Sequence, residues 1–553
     1  MIKRLAMLLI AALAFTCLTP YLSAYVSGQG KGQLPEQASD IAAEVTGAER
    51  FDTTTVPLRD MVSTGSPERP RGGRDFEPGK PQAVGNSNPN VVDPLAATGI
   101  GFPSGQVLPM AATNGTPIDP NARVAPPDTT GDLGPNHYVQ WVNLRYSIYT
   151  VSRVSTTDKT ITGFNLVPGF PKNGNVIWQG FGGRCETDND GDPIVQYDQL
   201  ADRWVMTQFA VSGTPYTQCV AVSTGPDPTG TYHRYAYSYS TDFNDYPKMG
   251  VWPNGYYITY NMFRRGSTFR GSRICAFERD KMLVGQTARQ ICVQTSSSYA
   301  SFLPADLEGS TLPPTGSPNY LLRITTSALQ FWKFNVNWSG NGSGTLTGPV
   351  TVPGAATFSR ACSGGTCIPQ QGTTRTLDSL ADRLMYRLSY RNLGTRESLL
   401  VNHSVASGGV SGIRWYELSN ASGQTLNSAN PVVRQQGTFQ PDTTYRWMGS
   451  AAMDKTGGIA IGYNVSSSSI KPGIRYAYRG PNDTLGTLGN ETGILVGPGS
   501  QTGTLSRWGD YSTISVDPTD GCQMVFTTEF IPSDGSFNWT TYIYSFKLST
   551  CTP

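Results

Sequence analysis

Along most of the chain, short runs of alternating apolar and polar residues are separated by turns of Gly, Pro, Asp and Asn, as in Tyr138-Val-Gln-Trp-Val-Asn, Arg203-Trp-Val-Met-Thr-Gln-Phe and Tyr256-Tyr-Ile-Thr-Tyr. Alternation with period two turns one face of each run inward, so the runs read as half-buried strands and the turns as hairpins. The runs fall into groups opened by related phrases. Pro127-Asp128-Thr-Thr-Gly-Asp132, Gly191-Asp192-Pro-Ile-Val-Gln-Tyr, Asp245-Tyr-Pro-Lys-Met-Gly-Val-Trp, Ala305-Asp306-Leu-Glu-Gly, Asp378-Ser-Leu-Ala-Asp, Gly449-Ser450-Ala-Ala-Met and Asp510-Tyr-Ser-Thr-Ile begin seven units, with their anchor residues 53 to 72 residues apart. Two further strand-like runs follow each opening hairpin, such as Thr217-Gln-Cys-Val-Ala-Val-Ser and Tyr232-His-Arg-Tyr-Ala-Tyr-Ser. Seven units of four strands predict an all-β, seven-bladed β-propeller over residues 122–553. The period exceeds the ~40 to 50 residues of common propeller repeats, so long loops are expected. With the first strand of each unit lining a central channel, Asp128, Asp192, Asp245, Asp306, Asp378 and Asp510 are expected to ring one mouth. The closing strand is expected at Thr540 to Leu548.

The texture before Pro126 differs. Lys3 and Arg4, the apolar run Leu5 to Cys17 and then Leu22-Ser-Ala24 have the order of a secretory signal, read as residues 1–24. Residues 25–121 hold Ser66-Pro-Glu-Arg-Pro-Arg-Gly-Gly and Glu77-Pro-Gly-Lys-Pro with few apolar runs. They read as a Pro/Gly-rich tether, disordered or draped over the domain, with at most one helical turn at Ile41 to Val45. No later stretch approaches the ~20 apolar residues of a membrane span, so the mature chain is expected to be a secreted monomer, extracellular or periplasmic.

Export changes the reading of the nine cysteines. Without Cys17, eight enter an oxidising compartment where disulfides persist. Eight cysteines allow about a hundred connectivities. Nearest-neighbour pairing gives Cys185 with Cys219, Cys275 with Cys292, Cys362 with Cys367, and Cys522 with Cys551. Zinc is disfavoured because no Cys-x-x-Cys occurs and His137, His233 and His403 stand apart from the cysteines. A formal net charge of +2 with 15% charged residues creates no strong field, which removes nucleic acid and anionic membrane surfaces as implied partners.

Three constellations are candidates for chemistry. Arg375, Arg446 and Arg507 stand three or four residues before Asp378, Ser450 and Asp510. Converging at a mouth, and with Trp447 and Trp508 beside them, they would clamp a carboxylate; the alternative is pairing with Asp residues of neighbouring units or stacking on those tryptophans. Asp192, Asp378 and Asp510, with Asp128 in reserve, are candidates for the acid and base of glycoside cleavage, and turn-capping Asp is the alternative for each. Asp188, Asp190 and Asp192 alternate in a polar loop, a spacing that can surround structural calcium with oxygen, or form an Asx-rich turn without metal. No Gly-x-Ser-x-Gly elbow and no phosphate-binding loop occurs.

The phrases Pro126-Pro-Asp-Thr-Thr-Gly-Asp-Leu-Gly-Pro-Asn-His-Tyr-Val-Gln-Trp-Val-Asn, Gly191-Asp-Pro-Ile-Val-Gln-Tyr-Asp, Val401-Asn-His-Ser-Val and Gly412-Ile-Arg-Trp-Tyr-Glu resemble those of a group of secreted bacterial β-propeller proteins, over about Pro126 to Cys551. That resemblance implies the fold and transfers no catalytic residue. More distantly the chain is similar to sialidases and other glycan-active propellers, but the Ser-x-Asp-x-Gly-x-x-Trp box of sialidases is absent. Two functional expectations follow. One is a carbohydrate-active enzyme, a glycoside hydrolase or polysaccharide lyase, acting on an extracellular glycan at the channel mouth. The other is a non-catalytic propeller binding an extracellular or cell-surface ligand.

Overall fold

The structure is a computed structural model that describes residues 41–62, 91–120, 122, 124–420 and 424–552. The signal segment read at residues 1–24 lies outside the described residues, as do parts of the stretch read as a tether. The described chain is nearly all β.

Among the described residues, strands pair antiparallel in chain order into seven meanders. Their innermost strands are Thr130–Leu133, Ile194–Asp198, Asp242–Trp252, Leu303–Leu307, Met385–Asn392, Tyr445–Met453 and Thr513–Val516. Each innermost strand lies beside that of the next meander, and Thr513–Val516 lies beside Thr130–Leu133, which closes the cycle. Between the fourth and fifth meanders the contact is a true parallel ladder, with Ala305 opposite Leu388 and Leu307 opposite Tyr390.

One backbone device recurs in or just before every innermost strand. Asp128, Asp192, Tyr246, Ser301, Leu380, Met448 and Asp510 all have left-handed φ, between 43° and 56°. Asp tolerates this region through local hydrogen bonds, whereas Tyr, Leu and Met adopt it at a cost of roughly 1–2 kcal/mol each and need packing to hold them there. Tyr246 and Met448 are buried accordingly. The recurrent Asp of the sequence phrases is thus first a means of entering the strand.

The cores lie between meanders. Trp252 of the third packs edge-on to Tyr320 of the fourth at 5.6 Å and to Tyr390 of the fifth at 4.8 Å. The Trp252 indole N–H donates to the Ser317 carbonyl at 3.2 Å, so the ring is buried with its polar edge satisfied.

The seventh meander is completed from the other end of the chain. Thr540–Leu548 is its third strand, not the closing one, and the fourth is Val107–Asn114, with Tyr542 opposite Asn114 and Leu548 opposite Val107. Upstream, Ile41–Ala42 pairs with Ser343–Thr351, Glu44–Gly47 with Arg289–Gln294, and Arg50–Thr53 with Tyr232–Ser238. The helical turn expected at Ile41 to Val45 is therefore strand. An open edge offers a row of unpaired amides and carbonyls, and pairing with it satisfies the segment's backbone more fully than one isolated turn would.

All four disulfides follow nearest-neighbour pairing: Cys185–Cys219, Cys275–Cys292, Cys362–Cys367 and Cys522–Cys551. Cys275 and Cys292 face each other across adjacent strands, and Cys551 is held to the first hairpin turn of the seventh meander.

Two stability outcomes are expected. A Cβ at Gly250 would stand 2.4 Å from the Ala305 carbonyl oxygen of the adjacent innermost strand, so Gly250→Ala should destabilise the fold by about 1–3 kcal/mol in urea unfolding. The Cys522–Cys551 bridge spans 29 residues, and replacing both cysteines by serine should cost about 3–4 kcal/mol by the same measurement.

Candidate functional site

Where the innermost strands begin, the seventh, first, second and third meanders bring charged groups together around the axis. Asp510, Asp128 and Asp192 enter three cyclically adjacent strands, and Lys248 lies opposite them on the third. Asp128, Asp510 and Lys248 are buried, and Asp192 is partly exposed.

Each side chain is held by its neighbours. Asn143 donates to Asp128 Oδ2 at 3.1 Å, and the Tyr246 amide donates to Asp192 Oδ2 at 3.2 Å. Arg507 pairs with Asp510 three residues on. Lys248 Nζ donates to the Pro247 carbonyl at 2.8 Å and sits over the rings of Tyr246 at 3.4 Å and Tyr511 at 3.9 Å. Arg383 caps the other side of this box, 4.5 Å above the Tyr246 ring. The two tyrosine hydroxyls donate to the carbonyls of Asp510 and Pro193, fixing the walls.

Burial and like charge set the protonation. Burial pushes the Asp128 carboxyl well above the ordinary carboxylate range, and Asp510 and Asp192 push it further. Burial raises Asp192 to about 6, against the opposing pull of Lys248 and a hydrogen bond to Asp128. Asp128 Oδ1 has no donor among the described residues. Burial lowers Lys248 to about 7 even with three carboxylates around it. Behind Asp510, Glu529 accepts from the Gly509 amide at 2.8 Å, and burial raises its carboxyl well above the usual range. The site is therefore a low-dielectric box in which the Asp128 and Asp192 carboxyls hold protons more tightly than usual and the Lys248 ammonium less tightly, a set that can exchange protons near neutral pH.

Deeper along the axis, Arg387 binds Asp306 at 2.8 Å, Glu308 at 3.3 Å and Asp132 at 3.5 Å, all buried. Asp306 is thus part of an internal ion network instead of the mouth.

Of the residues singled out in the sequence, Asp192, Asp510, Arg507 and the reserve Asp128 meet here. The others do not. Asp378 lies in the two-residue strand Leu377–Asp378, paired with Thr366–Ile368, and accepts from the Leu380 amide at 3.0 Å. Arg375 donates to the Gly503 carbonyl at 2.9 Å. Arg446 is fully buried and locked to Glu491 at 2.7 Å and Asp442 at 2.9 Å, because an uncompensated guanidinium cannot remain in a core. Trp447 and Trp508 are fully buried, 5.7 Å apart, and offer no face to a substrate. The three arginines form no clamp.

Asp188, Asp190 and Asp192, read in the sequence as possible calcium ligands, each have protein partners. Asp188 pairs with Arg184 at 2.7 Å, Asp190 accepts from the Val211 amide and from the Ser212 hydroxyl at 2.7 Å, and Asp192 points to the axis. Among the described residues no group of three or more His, Cys, Asp or Glu is placed to hold an ion. Lys248, Tyr246, Tyr511, Arg383 and Glu529 were not singled out. One signal existed for Lys248, an ammonium inside the otherwise apolar phrase Pro247-Lys-Met-Gly-Val-Trp.

The folded state binds Asp192's proton more tightly than the unfolded chain does. Stability from this group is thus fully present below the ordinary value of 3.8 and is lost as pH rises through about 6. Lys248 acts in the opposite sense, its unfavourable burial fading as the ammonium deprotonates above about 7. Asp192→Asn should therefore gain in Tm relative to the native chain as pH rises from about 4 to about 6, with a constant difference above. A difference in Tm that does not vary with pH would show that Asp192 titrates normally.

No family model matches this chain, and no curated protein is similar to it in sequence. Solved structures similar to it include the alpha-L-arabinanase of Penicillium chrysogenum complexed with arabinobiose, at 10% identity over 81% of this chain and 100% of that one, TM-score 0.36. Another is an alpha-L-arabinofuranosidase from Fusarium graminearum with an iminosugar inhibitor, at 9% identity over 81% and 99%, TM-score 0.35. A polysaccharide lyase acting on ulvan matches at 11% identity over 78% and 97%, TM-score 0.30. At such scores the likenesses are loose, and the fold described above stands on its own strand pairing.

Proposed function

We propose that this chain is a secreted seven-bladed β-propeller acting on an extracellular glycan, as a glycoside hydrolase or polysaccharide lyase, at the channel mouth where the innermost strands begin. The observation that carries the reading is the Asp128–Asp192 pair, whose partly exposed member is raised to about 6. A carboxylate with that pKa is a usable base near neutral pH, and its buried partner holds the proton that lets it also act as an acid. In a hydrolase Asp192 and Asp128 supply the proton-transferring group, with Asp510 as the second carboxylate. In a lyase, Asp192 removes the proton beside a uronate carboxylate, Lys248 and Arg507 stabilise the charge that develops, and the glycosidic C–O bond at the neighbouring carbon breaks to leave a C=C bond, the departing sugar oxygen taking a proton from Asp128. Four disulfides fit an extracellular protein, and among the described residues no helix is long and apolar enough to cross a membrane. A mouth of carboxylate, guanidinium and amide groups suits a hydroxyl-rich ligand.

A second reading, a non-catalytic extracellular binding propeller, is favoured by the near-complete burial of Asp128, Lys248 and Arg383. The two readings separate in a screen of purified protein against uronic-acid-containing and neutral polysaccharides, followed by reducing ends and by the ultraviolet absorbance of unsaturated products. Turnover is expected, with kcat/KM rising through about pH 6 and Asp192→Asn lowering kcat by about 100-fold or more. Retained glycan binding with no turnover of any polysaccharide would leave the binding module as the function.

A further inference from the structure

Three of the four disulfides are sealed, with none of their cysteines more than 2% exposed, whereas Cys362 and Cys367 are both partly exposed. These two border a cavity of about 220 Å³ on the mouth face, beside the start of the innermost strand Tyr445–Met453, with Arg360, Ser363, Val410 and Tyr445 among its other walls. Their ring is also the tightest, closed over a separation of 5 residues against 17 to 34 for the others. A bond across so short a loop removes little chain entropy from the unfolded state, so the fold depends on it least. Within the ring Cys362 and Ser363 have left-handed φ of 52° and 56°, a conformation unfavourable for non-glycine residues, and that strain is relieved when the ring opens. Exposure and strain together single out this bond as the one most open to reduction.

The ring is tied to the cap of the mouth box. Ser379 is fully buried, and its amide donates to the Gly365 carbonyl at 3.1 Å. Its hydroxyl reaches the same carbonyl at 2.9 Å and that of Ala361 at 3.3 Å. Thr366 and Ile368, on either side of Cys367, pair with Asp378 and Leu377. Further along the same segment, Arg383 lies 4.5 Å over the Tyr246 ring and closes the box from that side. The carbonyls that anchor Ser379 thus belong to the ring or adjoin it, and the shape of the ring sets where Arg383 sits.

We propose that the Cys362–Cys367 bond is a thiol-exchange site, opened by a small thiol entering the adjoining cavity, and that its opening releases the Ser379–Arg383 segment from the mouth. A thiolate attacks one sulfur of the pair; a mixed disulfide forms, the Cys362–Cys367 bond breaks, and the other cysteine leaves as a thiolate that takes a proton from water. A second thiol then attacks the mixed disulfide. The protein ends with two thiols, and the two small thiols, which supplied the two electrons, end joined as a disulfide. Access to the mouth is read here without any substrate, so the proposal does not rest on the glycan reading.

Graded dithiothreitol applied to the native full chain, followed by iodoacetamide and peptide mapping, tests the site. Cys362 and Cys367 should be alkylated at a dithiothreitol concentration about tenfold or more below that needed for the other three pairs. Hydrogen exchange tests the consequence: the amides of residues 379–383 should exchange about tenfold faster after this partial reduction, while the innermost strands keep their protection. A variant carrying Cys362→Ser and Cys367→Ser should exchange at the faster rate without thiol and should not respond to its addition. If that variant does not fold, the partly reduced native chain decides. Reduction of another pair first, or of all four together, would overturn the exchange site, and unchanged exchange at residues 379–383 after selective reduction would overturn the opening of the mouth.

Discussion

The closeness of the innermost strands is the constraint on which the rest of this structure depends. At Gly250 there is no room for a Cβ against the Ala305 carbonyl, so neighbouring meanders meet there backbone to backbone. Polar side chains then reach across to satisfy the next strand's amides. Asp132 accepts from the Tyr197 amide, Asp306 from that of Val251, and Ser450 Oγ from that of Ile514. A ring joined this way leaves no inner edge to pair with another chain.

Joining the ring with carboxylates brings negative charge into a dry axis, and the cations follow from that. Arg387 answers Asp132, Asp306 and Glu308 at mid-channel, while Lys248 and Arg507 answer Asp128, Asp192 and Asp510 at the mouth. The two sets differ in exposure. The first is closed off, whereas Asp192 reaches solvent and so turns a structural charge into one that titrates in the neutral range.

Closure also joins the two ends of the domain. Val107–Asn114 completes the meander that Thr540–Leu548 cannot complete alone, and the segment from Ile41 to Thr53 covers three outer edges in turn. Unfolding the last meander therefore requires removing a strand from the opposite end of the sequence as well as opening the hairpin held by Cys522–Cys551.

The sequence by itself determined the short strands and their grouping into repeated units, because period-two alternation and turn residues are local properties, whereas nearest-neighbour cysteine pairing was one of about a hundred connectivities it allowed. It also placed Asp128, Asp192 and Asp510 where strands begin. Only the tertiary structure decided which of those acids meet. Asp378 and Asp306 carry the same local signature, yet Asp378 lies in a separate two-residue strand and Asp306 stands further along its own strand, bound to Arg387. The arginine row was equally local, and it dissolved likewise: Arg446 sits among apolar neighbours that force it onto Glu491, while Arg507 finds Asp510. The edge strands at residues 41–53 and 107–114 were hidden because their pairing partners lie hundreds of residues away, and an isolated segment shows no strand signal until an open edge supplies its hydrogen bonds.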